Sequence, residues 1–188
     1  MLFLVTSNIG KFKEARLVME RYGIVIQHLA IEKPEIQADS IREISENAAK
    51  EILKQHNKEI LVEDAGLFIE ALNGFPGPYS SYVMRTIGCQ GILKLLKNET
   101  KRNAKFKAVL SYGTPEESVI SFKGEIKGII AHSSRGNSGF GFDPIFIPEG
   151  SNNTFAEMSI SKKNEFSHRM RALKQFTEWY VKKNALNL

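Results

Sequence analysis

The stretch Leu2-Phe3-Leu4-Val5-Thr6-Ser7-Asn8-Ile9-Gly10-Lys11 decides the fold class. Its apolar opening suits a buried parallel strand, which has no face to keep in water. Ser, Asn and Gly then supply turn and cap chemistry. From Lys11 to Tyr22 the residues Phe12, Ala15, Val18, Met19 and Tyr22 recur at helical spacing. A second strand is expected from Val25 to Ala30. A second helix is expected from Ile41 to His56, with Ile41, Ile44, Ala48, Ile52 and Leu53 on one side. Ile60-Leu61-Val62 reads as a third short strand ending in Glu63 and Asp64. This β-α-β-α-β rhythm predicts an α/β protein, its sheet covered by helices.

The remainder predicts a mixed sheet. Asn73-Gly74-Phe75-Pro76-Gly77-Pro78 reads as a rigid loop, and Tyr79 to Lys97 as helical text. Ala104, Phe106, Ala108, Leu110 and Tyr112 alternate with Lys105 and Lys107, the pattern of a half-buried strand. Ser118 to Ala131 supports one or two more strands, broken at Gly124 and Gly128. A final helix is expected from about Asn164 to Lys183, with Phe166, Met170, Leu173, Phe176 and Tyr180 on its core face. The expectation is one domain over residues 1–188, made of two lobes with a central groove.

The 188 residues, 42% of them hydrophobic, can bury a sizeable core without staples. The single cysteine, Cys89, cannot form an internal disulfide, so a reducing cytosol is the simplest compartment. No apolar run approaches the roughly 20 residues of a membrane helix. The Met1 end lacks the basic flank and length of a signal peptide. The net charge of +5 favours anionic partners, but the lysines are scattered and form no nucleic-acid recognition motif. Neither nucleic acid nor membrane is expected as a partner. One cysteine and four scattered histidines give no zinc pattern.

Four segments could carry chemistry. In Thr6-Ser7-Asn8-Ile9-Gly10-Lys11, a strand end turns into a helix start, whose free N–H groups and partial positive charge suit an anion. An ordinary helix cap uses the same residues. The segment is no Walker loop: the first glycine is missing and Phe12 follows the lysine. Glu63 and Asp64 stand where a strand is expected to end, and Glu35 follows Pro34 in a loop. Magnesium takes only one or two protein carboxylates, so Glu35 and Asp64 would suffice if the fold brings them together. Surface capping is the plain alternative. In Gly139-Phe140-Gly141-Phe142-Asp143-Pro144, Phe140 or Phe142 could stack on a base, and Asp143 before proline is expected to be extended. In Lys162-Lys163-Asn164-Glu165-Phe166-Ser167-His168-Arg169, the residues Ser167, His168 and Arg169 open the last helix, where a structural histidine is the commoner case.

Taken together, seven segments resemble the inosine triphosphate pyrophosphatase family, also described as dITP/XTP pyrophosphatases. They are Thr6 to Lys11, Pro34-Glu35-Ile36-Gln37, Glu63-Asp64-Ala65-Gly66-Leu67, Phe75 to Ser80, Gly139 to Phe146, Thr154-Phe155-Ala156-Glu157, and Lys163-Asn164 with Ser167-His168-Arg169. The resemblance implies an elongated mixed sheet flanked by helices, two lobes about a substrate cleft, and a homodimer. It implies a triphosphate cradle at Thr6, Ser7, Asn8, Ile9, Gly10 and Lys11. Glu35 and Asp64 would be Mg2+ ligands, with Asp64 also the proton acceptor and Glu63 its rival. Ala65, Phe140, Gly141, Phe142, Asp143, Lys163, His168 and Arg169 would complete the nucleotide site, Phe140 as the stacking ring. Ala65 stands where many relatives carry Ser or Thr, and Ser81 where several carry a basic residue. The implied reaction is hydrolysis of ITP, dITP or XTP to a monophosphate and pyrophosphate. A Maf-like enzyme acting on other modified nucleotides is the alternative.

Overall fold

The computed structural model describes residues 1–185. Its strands are β1 (Leu2–Val5), β2 (Ile26–Leu29), β3 (Glu59–Ile69), β4 (Pro76–Gly77), β5 (Asn103–Gly113), β6 (Ile120–Ile130) and β7 (Phe146–Pro148). Its helices are α1 (Ile9–Glu20), α2 (Ile41–Gln55), α3 (Ser80–Thr86), α4 (Gly88–Leu95), α5 (Ile160–Phe166) and α6 (His168–Ala185). The strands run in the order β2-β1-β3-β5-β6-β7, with β4 on β3. β1 pairs in parallel with β2 and β3, whereas β3–β4 and β6–β7 are antiparallel. This is the α/β class with a mixed sheet that the sequence predicts.

The chain forms two compact units. The first holds residues 1–64, 108–124 and 169 onward; the second holds 65–107 and 125–168. In the first, Ile41, Ile44, Ala48, Ala49 and Ile52 fall on one face of α2 and are buried. Val5, Ile60 and Val62 share a core with that helix. Ser45 on the same face is wholly buried, and its hydroxyl donates to the Val62 carbonyl at 3.2 Å and meets Ser111 Oγ at 2.8 Å. A small polar residue on an apolar helix face thus ties α2 to β3 and β5 immediately before Glu63. In the second unit, Phe106, Phe146 and Phe155 pack with Leu67, Ile92, Ile130 and Ile145.

Several boundaries depart from the sequence pattern. β3 does not stop at Glu63 and Asp64 but runs on to Ile69. Its register with β1 ends at Val62, and beyond that Leu67 and Phe68 pair with β4 instead. The acids therefore lie inside a strand, just past the end of its parallel neighbour. Gly66 is required there: a Cβ would stand 2.3 Å from the Gly77 carbonyl oxygen. β6 is one strand, unbroken by Gly124 or Gly128, because Gly128 admits β7; a Cβ would come within 2.2 Å of the Ile147 carbonyl oxygen. The helical text of 79–97 splits into α3 and α4, and the last helix into α5 and α6 at Ser167. Asp143 is not extended; it opens a 3-10 turn over Asp143–Ile145. Two hydrogen bonds to its buried side chain outweigh the local bias of the residue before proline.

Candidate active site

In the first unit, α1 starts directly after β1. Asn8 is its N-cap, and its side-chain oxygen accepts from Gly10 N at 2.9 Å and Lys11 N at 3.2 Å. Asn8 N in turn donates to Thr6 Oγ1 at 3.1 Å, and His28 Nε2 lies 2.7 Å from the Thr6 carbonyl oxygen. Thr6 is buried while Ser7 is exposed. The cap role is thus realised, and the segment's offer to an anion is carried chiefly by the helix-end charge and the Lys11 ammonium. Burial pushes the Lys11 ammonium below its usual range; Glu63 pulls it up, and Arg169 and Lys33 push it down.

Consecutive residues of a strand point to opposite faces, and Glu63 and Asp64 accordingly have different partners. Glu63 Oε2 accepts from Arg169 Nε at 2.9 Å, and Glu63 Oε1 lies 3.9 Å from Lys11 Nζ. Arg169 NH1 donates to Glu14 Oε2 at 2.5 Å. Glu14, Glu63 and Arg169 are all buried. Burial works against the Arg169 charge, but Glu63 and Glu14 more than reverse this and hold the guanidinium firmly protonated. Asp64 Oδ2 lies 3.2 Å from Lys33 Nζ, which also stands 3.1 Å from Glu35 Oε1. Burial raises the Asp64 carboxyl above the ordinary aspartate range, against the pull of Lys33 and Lys11. Burial alone would lower Lys33, but Asp64 and then Glu35 outweigh it and raise the ammonium.

Glu35 and Asp64 are thus close enough to share a single cation. The loop that carries Glu35 and the strand that carries Asp64 meet at one ammonium, that of Lys33. Glu14, Glu35, Glu63 and Asp64 face Lys11, Lys33 and Arg169, four acids against three cations. Hard oxygen donors with a residual negative charge fit Mg2+, which is otherwise content with water and phosphate.

The second unit holds the other group. Asp143 Oδ2 accepts from Lys163 Nζ at 2.7 Å and from Phe140 N at 2.8 Å. The Lys163 ammonium stands 4.7 Å from the centre of the Phe140 ring. Gly139, at φ +78°, makes this turn possible; a Cβ there would meet Asp143 Oδ2 at 2.1 Å. Gly141 accepts a hydrogen bond from Cys89 Sγ at 3.5 Å, and Phe142 points into the core. The His168 ring stacks on Phe106, centroids 4.7 Å apart and planes 9° from parallel. Ser167 Oγ and Asn164 Oδ1 are buried without a hydrogen-bond partner among the described residues, and such polar atoms call for a partner from outside the chain.

The structure therefore brings Glu35 to Asp64, and Phe140 to Asp143 and Lys163. Within the first unit, Arg169 is paired with the buried acids Glu14 and Glu63. Sequence reasoning missed Glu14 and Lys33. Lys33 stood one residue from the quoted Pro34-Glu35 segment, and Glu14 one turn beyond Lys11; neither carries a signal until its distant partner is known.

The fold and this charge constellation place the molecule among α/β proteins whose chemistry rests on charged groups beside the parallel strands. The chain belongs to the Ham1 family, whose model matches residues 2–179. It is 50% identical over 179 residues to a dITP/XTP pyrophosphatase of Methanopyrus kandleri, covering 95% of each chain. It is 51% identical over 178 residues to one of Thermococcus kodakarensis, covering 95% of this chain and 96% of the other. Among solved structures it resembles a HAM1 protein from Coxiella burnetii, with a TM-score of 0.84, 27% identity, and 96% and 98% of the two chains covered.

Proposed function

We propose that this chain hydrolyses the non-standard purine nucleoside triphosphates ITP, dITP and XTP to a monophosphate and pyrophosphate. The names and identities of the relatives support the activity. The observation that carries the chemistry is the single cation shared by Glu35 and Asp64. Those two residues would hold Mg2+, which would neutralise phosphate charge and acidify a water. The lone Cys89 supports a cytoplasmic setting, and the family resemblance a homodimer.

The chain's own groups then divide the work. Lys11 and the start of α1, with Thr6, Ser7, Asn8, Ile9 and Gly10, take charge that develops on the departing pyrophosphate. Ala65, next to Asp64, leaves room at the phosphates without adding a donor. Asp64 accepts the proton of the attacking water. Glu63, which pairs with Arg169 and Lys11, is the rival for that role. Arg169 orients Glu63 and Glu14 as well as serving the nucleotide.

Phe140 offers a ring to the purine, with Gly141 allowing close approach and Phe142 anchoring the turn from the core. Asp143, Lys163 and His168 read its polar edge. Hypoxanthine and xanthine present an N1–H donor and an O6 acceptor, and adenine presents the reverse. Polar groups that match the former are left unpaired by ATP, a mismatch worth up to ~10⁴-fold or more.

Turnover of ITP, XTP, ATP, GTP and dUTP with magnesium, followed by pyrophosphate release, tests the proposal. ITP and XTP should dominate. Turnover confined to dUTP or to 7-methylated nucleotides would favour the Maf-like alternative. Asp64→Asn should abolish turnover and Glu63→Gln reduce it less; the reverse order would make Glu63 the base.

A further inference from the structure

We propose that Lys33 is a built-in competitor of the divalent cation: its ammonium occupies the Glu35–Asp64 pair until ion and nucleotide arrive together. The inference rests on the magnesium reading above and deepens it. Lys33 and Glu35 flank Pro34, whose fixed φ and extended bias for its predecessor let residues two apart project the same way. The Lys33 side chain is only 15% exposed, against 57% for Glu35 and 11% for Asp64. The lysine has therefore left water for the acids, although a solvated position costs a lysine nothing.

Two consequences follow from charge alone. An ion that enters the pair must expel an ammonium that loses both ion pairs, so affinity for the ion alone is lowered. A bound triphosphate gives the expelled ammonium another anion, so nucleotide and ion strengthen each other's binding by the same factor. Lys33 would in this way make the site load mainly when substrate is present.

The test is titration of Mn2+, followed by electron paramagnetic resonance, into wild-type protein and the variants Lys33→Met, Lys33→Gln, Glu35→Gln and Asp64→Asn. Each titration is done with and without non-hydrolysable α,β-imido ITP, and thermal melts confirm folding. Without nucleotide, Lys33→Met and Lys33→Gln should bind Mn2+ at least about threefold tighter than wild type, the scale of a partly exposed ion pair. The analogue should then tighten Mn2+ binding more in wild type than in either Lys33 variant. Unchanged or weaker Mn2+ binding in both Lys33 variants overturns the proposal while leaving the magnesium site standing, provided Glu35→Gln and Asp64→Asn lose the ion. Equal Mn2+ binding by wild type, Glu35→Gln and Asp64→Asn overturns both.

Discussion

Arg169 Nε donates to Glu63 Oε2 across 2.9 Å, joining residues 106 positions apart in the chain. The same guanidinium reaches Glu14 on α1, so one cation neutralises two buried acids. Removing one partner of such a group strands the other charges away from water, which costs about 3–5 kcal/mol. Arg169→Met should lower the unfolding free energy by that amount in urea titrations without metal. A loss below about 1 kcal/mol would mean the pair behaves like a surface salt bridge.

Gly139 and Asp143 give a second prediction. A methyl group at residue 139 would need to pass through Asp143 Oδ2, and the backbone sits at φ +78°. Gly139→Ala should destabilise by about 1–3 kcal/mol, since both strain and displacement of the carboxylate act. It should also narrow the preference for ITP over ATP, read as the ratio of kcat/KM values. An unchanged ratio would remove Asp143 from base recognition.

The hydroxyls of Tyr112 and Tyr180 both donate to Glu59 Oε1, at 2.8 and 2.9 Å. Burial first, then the Glu59 carboxylate, pushes the Tyr180 hydroxyl up to about 12. A group whose folded value exceeds its unfolded one contributes stability below the unfolded value, about 10 for tyrosine, and loses it as pH rises through the folded value. Tyr180→Phe should therefore cost about 1 kcal/mol at pH 8. The gap in Tm should shrink as the pH rises from about 10 to about 12. A gap that stays constant over that range would show that the hydroxyl does not titrate as described.

Cys89 is half-buried, and burial, followed by the charge of Asp143, pushes its thiol up to about 11. The thiolate is the reactive form. At pH 8 iodoacetamide should modify the folded protein about a hundredfold more slowly than the urea-unfolded chain. Equal rates, followed by mass spectrometry, would place the sulfur in water.

The parts of the fold legible in the sequence are those written by local periodicity. Ile41, Ile44, Ala48 and Ile52 mark α2, and Leu2 to Val5 mark β1. Where a distant partner decides, local reading falls short. Gly128 looks like a strand breaker until Ile147 is known to pass 2.2 Å from its missing Cβ. Glu63 and Asp64 look like a strand end because the apolar run stops there, yet pairing with β4 carries β3 onward.

The candidate site divides in the same way. Glu63, Asp64, Lys11, Gly139 and Asp143 are legible as motif residues, whereas the pairing of Glu35 with Asp64 is implied only by the family resemblance. Lys33 and Glu14 are not legible, since an ordinary lysine or glutamate is a solvated residue by default. Their roles come from partners 31 and 155 positions away, respectively Asp64 and Arg169. That Glu14 and Glu63 are the acids that pair with Arg169 is likewise announced by no local pattern.

The reaction itself is tested most directly by hydrolysing ITP in ¹⁸O-labelled water and weighing both products. Attack at the α-phosphorus, with charge leaving on pyrophosphate, should put the label in inosine monophosphate and leave the pyrophosphate unlabelled. Label in pyrophosphate, or release of labelled orthophosphate, would overturn it.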